Sequence, residues 1–292
     1  MRDVPSVSIK HLPVNKVSGF IASPSLDILS VEEPLEIRIV YGPASNRVEK
    51  NISITMRTPG NDLELALGFL FTEGIISSHG NVKAIAHIPI SCELQKENIV
   101  CVELIEGFIP NLLQSDRNFY TTSSCGVCGK GSIQSIRTVS PYSNLAHQEE
   151  VRLSPDVFYS LPEKLRLAQC NFAATGGIHA AGLFTIEGEL ALLREDVGRH
   201  NALDKLIGTA LSKNMLPLSQ FILLLSGRAS FELIQKAAMA GISIVAAIGA
   251  PSTLAVELAN EFNITLLGFL RNDRFNIYTT NDQILIPTSH EN

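Results

Sequence analysis

Between residues 221 and 270 the chain alternates three short apolar runs with two helical segments. No other feature of the sequence limits the possible folds as strongly. Phe221–Leu225, Ile242–Ile248 and Ile264–Leu270 are strand-length and almost wholly apolar, as strands buried on both faces are. Phe231–Ala240 and Thr253–Phe262 read as the helices between them. A strand–helix–strand–helix–strand order predicts parallel pairing with crossover helices, hence an α/β sheet covered on its faces.

Open sheets of this kind gather ligands beyond the carboxyl ends of their strands. Three segments fall there: Ser226-Gly227-Arg228-Ala229-Ser230, Gly249-Ala250-Pro251-Ser252 and Arg271-Asn272-Asp273-Arg274. Their glycines allow close backbone approach, and Ser230 and Ser252 stand where helices begin. Their arginines offer planar donor forks to phosphate or carbonyl oxygens. Solvated turns would contain the same residue types, but three such segments at one sheet edge favour a binding site.

The first half is a looser mixture. Residues 1–30 read as an irregular lead-in. Leu35–Val40 and Ile52–Met56 read as strands, and Pro59-Gly60-Asn61-Asp62 as a turn and helix cap. Leu63, Leu67, Leu70 and Phe71 share one face of a helix that stops at Gly74, with strands near Val82–Ile90 and Ile99–Leu104 after it. From about Asp116 to Ser140 the composition turns to Ser, Thr and Gly, which suggests a junction. The expected organisation is a smaller N-terminal α/β domain (1–120), a junction (121–140) and a main domain (141–292). In the main domain, Ala181–Ile186 and Glu189–Leu193 form a hairpin. Asn201 caps a helix with Leu203, Leu206, Ile207, Ala210 and Leu211 on its apolar face.

Of the 292 residues, 45% are hydrophobic, enough for a sizeable core, and 23 Lys+Arg against 29 Asp+Glu leave a net charge of −6. That balance argues against a broadly basic nucleic-acid surface. The first residues lack the apolar stretch of a signal peptide, and the apolar runs are too short to span a bilayer, so a cytoplasmic location and no membrane partner are expected.

Five cysteines, with only Cys125 and Cys128 close together, do not form a secreted disulfide framework. The pair lies in Ser124-Cys125-Gly126-Val127-Cys128-Gly129-Lys130-Gly131, where glycines leave both sulfurs unshielded and Lys130 favours the thiolate. A zinc site needs four ligands, and Cys92, Cys101, Cys170 and His179 lack zinc spacing. Haem attachment needs His where Gly129 stands. The hydrolytic nucleobase deaminases need H-x-E before P-C-x-x-C, whereas His179-Ala180-Ala181 lacks the Glu and follows the cysteines. Thiol–disulfide redox chemistry and sulfur transfer both remain open, since each needs an accessible thiolate. Thr175-Gly176-Gly177-Ile178-His179 enters the hairpin with a lone histidine, and Arg194-Glu195-Asp196-Val197-Gly198-Arg199-His200-Asn201 packs six polar or charged residues between a strand and a helix. The second reads either as a salt-bridged loop or as a cavity lining.

In order along the chain, several stretches resemble the formate dehydrogenase accessory sulfurtransferase family, FdhD. They are Arg57-Thr58-Pro59-Gly60 with Glu64-Leu65-Ala66 and Glu73-Gly74-Ile75-Ile76, then Ser123 to Gly129, Thr175 to His179 and Arg194 to Lys205. Ser226 to Glu232, Ala250-Pro251-Ser252 and Gly268-Phe269-Leu270-Arg271 complete the set. Ser243 and Gly249 depart from it, standing where Pro and Ser are common.

The resemblance implies a three-layer main domain similar to the cytidine deaminase fold, without catalytic zinc. It implies a sulfurtransferase that takes sulfur from a cysteine desulfurase as a persulfide on Cys125, with Cys128 supporting. The sulfur is then passed to the molybdenum bis-molybdopterin guanine dinucleotide cofactor of formate dehydrogenase. Cofactor binding is implied for Phe269, Leu270, Arg271, Asn272, Asp273 and Arg274, and Arg228, Ser252 and His179 are candidates beside them. Family members are typically homodimers. The rival readings are a cofactor-binding chaperone with structural cysteines and a thiol oxidoreductase.

Overall fold

The computed structural model describes residues 6–88, 98–112, 141–142, 153–280 and 284. Two sheets carry the architecture. One has four strands, β3 (Glu33–Tyr41), β4 (Val48–Arg57), β5 (Val82–His87) and β6 (Ile99–Leu104), in the order β4-β3-β6-β5. The other has six: β7 (His179–Thr185), β8 (Leu190–Asp196), β9 (Phe221–Leu225), β10 (Ile244–Ala247), β11 (Thr265–Gly268) and β12 (Asn276–Thr279). Their order is β12-β11-β10-β9-β7-β8. As the alternation requires, β9, β10 and β11 run parallel, linked by α5 (Phe231–Met239) and α6 (Thr253–Glu261).

Alternate side chains of β9 explain why that strand is apolar throughout. Ile222 and Leu224 enter one core with Phe158, Leu161 and Leu165 of α2 (Pro155–Ala168). Leu223 and Leu225 enter another with Leu203, Leu206 and Ile207 of α4 (Arg199–Ser212). The six-stranded sheet thus lies between helices on both faces, and the mixed α/β, three-layer expectation holds for it.

The second core also contains Leu35, Ile37 and Ile39 of β3 and Leu65, Leu70 and Phe71 of α1 (Asp62–Thr72). Helices α1 and α4 therefore form a layer shared by both sheets. Each is buried on nearly every side, so the single apolar face expected for each is too narrow a description. Gly74 ends α1 as expected. At φ 70° it donates to Phe71 O while Ile75 N reaches Leu70 O, satisfying carbonyls that the last turn leaves open. The two helices cross through Gly68 and Gly208. A Cβ on Gly68 would lie 1.9 Å from Asp204 O, and one on Gly208 would lie 1.9 Å from Glu64 O.

Four local expectations are corrected. Residues 9–30 are not irregular: β1 (Ile9–Ser18) and β2 (Ile21–Ser30) pair along their whole length. Gly19 opens their two-residue loop at φ 60°, as such loops favour. Most of the hairpin is exposed on both faces, so no one-sided apolar alternation marks it. It is tied down at its base, where Ser30 Oγ lies 2.8 Å from Thr175 Oγ1.

Asn61 holds the cap position of α1, but its side chain makes no capping bond to the helix backbone; the residue takes a left-handed conformation and donates from Nδ2 to Glu64 Oε1 at 3.3 Å. Asn201 lies inside α4, which begins after Gly198, and its amide turns into the protein. Finally, α2 and α3 (Cys170–Thr175) are two helices that sequence periodicity did not reveal. Ser154 caps α2 and Pro155 starts it, but Pro162 inside the helix breaks its recognisable pattern.

Replacing Gly68 or Gly208 by Ala should lower stability by about 3 kcal/mol or more, because the added methyl meets backbone that cannot turn away. Urea unfolding midpoints of the two variants would measure this.

Candidate functional site

The three loops at the carboxyl ends of β9, β10 and β11 are laced together through their backbones. Gly249 N donates to Gly227 O at 2.9 Å, Ser252 N to Ala229 O at 3.0 Å and Phe269 N to Gly249 O at 3.1 Å. A Cβ on Gly249 would stand 3.0 Å from the N, Cα and Cγ of Arg228, so this turn fits closely against its neighbour. Ser252 caps α6 by accepting from Ala255 N at 3.2 Å, and Ser230 occupies the cap position of α5. The convergence read from the sequence is therefore physical.

The residues singled out for cofactor binding differ in their surroundings. Arg228, Ser252 and Asn272, Asp273 and Arg274 are exposed. Leu270 is buried in the core beside α2. Arg271 fastens its own loop, with Nη1 donating to Ile248 O at 2.7 Å and Leu270 O at 2.8 Å. Phe269 takes φ 53° and is 42% exposed, a costly conformation for a bulky side chain at an exposed point of the loop. Cys125 and Cys128 lie outside the described residues.

Beside these loops a cleft of about 580 Å³ opens between the sheet edge and the α2–α3 corner. Pro162, Leu165, Arg166, Gln169 and Phe172 form one wall; Gly176, Gly177, Ile178 and His179 form the floor. Val197, Ser226 and Ile248 complete it. His179 thus joins the cleft to the loop after β9, and the Gly227 backbone lies against its ring. Burial pushes the His179 pKa down, Arg199 and His200 push it further, and Asp196 opposes them. The ring is consequently a neutral hydrogen-bonding group at neutral pH.

The Arg194–Asn201 cluster is not a loop. Arg194, Glu195 and Asp196 end β8, and Arg199, His200 and Asn201 open α4. Asp196 is fully buried and receives Lys205 Nζ at 2.7 Å, Thr58 N at 3.1 Å, Gly198 N at 2.8 Å and Asn201 Nδ2 at 3.2 Å. Lys205 Nζ also donates to Thr58 O at 2.8 Å, and Asn201 Nδ2 to Met56 O at 2.7 Å. One carboxylate thereby joins the β4–α1 connection to the strand and helix behind the cleft. Glu195 works elsewhere. It accepts from Asn171 N and Phe172 N, each at 2.9 Å, and so anchors the start of α3.

On the far side, His200 Nε2 approaches Ser230 Oγ at 3.3 Å and Glu232 Oε2 at 3.8 Å. The His200 contact is the main cause holding the Glu232 carboxyl at about 2. The helical wall of the cleft was missed by sequence reasoning. Phe158, Leu161 and Leu165 at helical spacing after Ser154-Pro155 were the available signal.

Lys205→Met should cost roughly 3–5 kcal/mol at neutral pH, because it leaves Asp196 buried without its cation. The unopposed carboxyl then has a folded pKa above its unfolded one, so the deficit should shrink as pH falls; urea titrations at several pH values would show it. In NMR titration the His179 ring should protonate below pH 6.5, the ordinary histidine value from which burial displaces it.

The FdhD/NarQ family model matches residues 31–285. A sulfur carrier protein FdhD of Mycolicibacterium paratuberculosis is 50% identical over 260 residues, covering 88% of this chain and 92% of that protein. One from Sulfolobus acidocaldarius is 42% identical over 279 residues, covering 95% and 99%. A crystal structure described as a formate dehydrogenase accessory protein from Desulfotalea psychrophila superposes with a TM-score of 0.67 at 20% identity. It covers 95% of this chain and 99% of its own, and so shares the fold. With the family model spanning both sheets and the cleft, and identity of this order over nearly the full length of the relatives, the chain belongs to the FdhD/NarQ family.

Proposed function

We propose that this protein is a sulfur carrier that serves formate dehydrogenase. The observation that carries the reading is the extent of identity to proteins named sulfur carrier, 50% and 42% over almost their entire length. The glycine-flanked Cys125–Cys128 pair supplies the chemistry that carrying sulfur needs.

In the loading step the Cys125 thiolate attacks the terminal sulfur of a persulfide on a cysteine desulfurase. A new S–S bond forms on Cys125, the donor's S–S bond breaks, and the electron pair leaves on the donor thiolate. No outside oxidant or reductant is required. For delivery, the Cys128 thiolate attacks the inner sulfur of the Cys125 persulfide. This forms a Cys125–Cys128 disulfide and releases hydrosulfide to the acceptor; a dithiol reductant then restores both thiols.

The acceptor is the molybdenum bis-molybdopterin guanine dinucleotide of formate dehydrogenase, which is cargo and not a resident group of this chain. The cleft and the neighbouring strand ends suit its nucleotide portion. Exposed Phe269 offers a stacking surface, Ser252 and Arg228 stand on adjoining turns, and neutral His179 can donate or accept a hydrogen bond to a base edge or ribose. Arg274 is exposed and can approach phosphate, while Arg271 shapes the loop that carries it. The working form is a homodimer in the cytoplasm. No helix among the described residues is long and apolar enough to cross a membrane.

Incubation with a cysteine desulfurase and cysteine should add one sulfur atom to the intact protein, as read by mass spectrometry. Cys125→Ala should abolish that addition and the activation of formate dehydrogenase. A variant that still gains the sulfur would place the carrier thiol elsewhere.

A further inference from the structure

We propose that Arg166 is a specificity-determining residue of the cleft: it recognises a phosphate group on the ligand bound there. This rests on the nucleotide-binding reading of the cleft given above. Among the described lining residues Arg166 is the one formally charged side chain; the remainder is apolar or uncharged, with His179 neutral. Arg166 is itself exposed and its charge is open to solvent, but a guanidinium among described lining residues that carry no other formal charge still favours an anionic ligand.

The guanidinium is also held ready. Its Cζ lies 4.2 Å above the centre of the Phe172 ring. Stacking restrains the long side chain while leaving the in-plane N–H groups available to a ligand. Among the described residues Arg166 makes no ion pair and its side chain donates no hydrogen bond. The carboxylate of Glu195, which anchors the same corner, is engaged by the amides of Asn171 and Phe172 and, at 3.5 Å, by Gln169 Nε2. Glu195 therefore anchors the backbone that carries the Phe172 ring, and it forms no ion pair with Arg166.

A purely structural role is the competing explanation. Arg166 lies in the last turn of α2, where a cation favours the helix dipole. That role would alter stability and leave ligand discrimination untouched, which is the basis of the test.

Titration calorimetry of the full-length protein with GDP and with guanosine separates the possibilities. Wild type should bind GDP at least about tenfold more tightly than guanosine. Arg166→Ala should lose about tenfold in GDP affinity, with guanosine affinity unchanged within about twofold. Arg166→Lys, which keeps the charge without the planar stack, should retain part of the preference. If Arg166→Ala keeps the full preference for GDP, the phosphate is read elsewhere and the inference falls. If the variant loses GDP and guanosine equally, Arg166 supports the wall without reading phosphate, and the inference falls again. If wild type binds neither compound, the nucleotide reading of the cleft fails first and this inference with it. Thermal melting of each variant checks that it is folded.

Discussion

The buried pair of Asp196 and Lys205 is the constraint on which the arrangement around the cleft depends. Taking both charges out of water is unfavourable unless every remaining donor and acceptor finds a partner. The chain meets that condition by bringing three separate segments to one point: Thr58 from the turn before α1, the end of β8, and the first turns of α4. Satisfaction of the pair thus dictates the exit direction of β8. That direction sets Glu195, Glu195 sets the start of α3, and α3 presents Phe172 to the cleft. The polar residues around 194–201 combine structural and site-shaping roles, and neither role can be assigned to the segment as a whole.

A second buried pair, Asp204 with Lys236 at 2.9 Å, acts further along α4. Thr72 Oγ1 donates to Asp204 Oδ1 at 2.8 Å and lies 2.9 Å from Lys236 Nζ, so α1, α4 and α5 meet in one hydrogen-bonded cluster. Apolar packing alone would tolerate rotation of these helices about their axes. Directional bonds to a hydroxyl, a carboxylate and an ammonium do not, and they fix the register of the shared helix layer. The six-stranded sheet rests on that layer, and its carboxyl edge is held accordingly.

Legibility in the sequence followed the physics of each element. The parallel unit from Phe221 to Gly268 was readable because its strands are buried on both faces and so consist of uninterrupted apolar residues. The turns at the carboxyl edge of the sheet followed from topology alone. Hairpin β1–β2 escaped notice because water bathes both of its faces, and α2 because Pro162 interrupts an otherwise sound pattern. Of the wall made by Arg166 and Phe172, only the helical spacing of Phe158, Leu161 and Leu165 was visible locally, because the placement of Phe172 depends on a long-range contact to Glu195. Asp196 and Lys205 face each other across a strand–helix junction, a relation that no periodic rule connects. Resemblance to a family pointed to Cys125 and to the segment from Phe269 to Arg274, whereas spacing had left redox chemistry and sulfur transfer equally open.

Where Gly68 meets Gly208, the backbones of two helices from opposite halves of the sequence touch with nothing between them. Side chains at such a contact could act as ball bearings, rotating to let one layer slip past the other; bare backbone cannot. The two sheets are therefore held to one backbone contact, and the six-stranded sheet, whose strand ends border the cleft, has no freedom to slide on the layer beneath it.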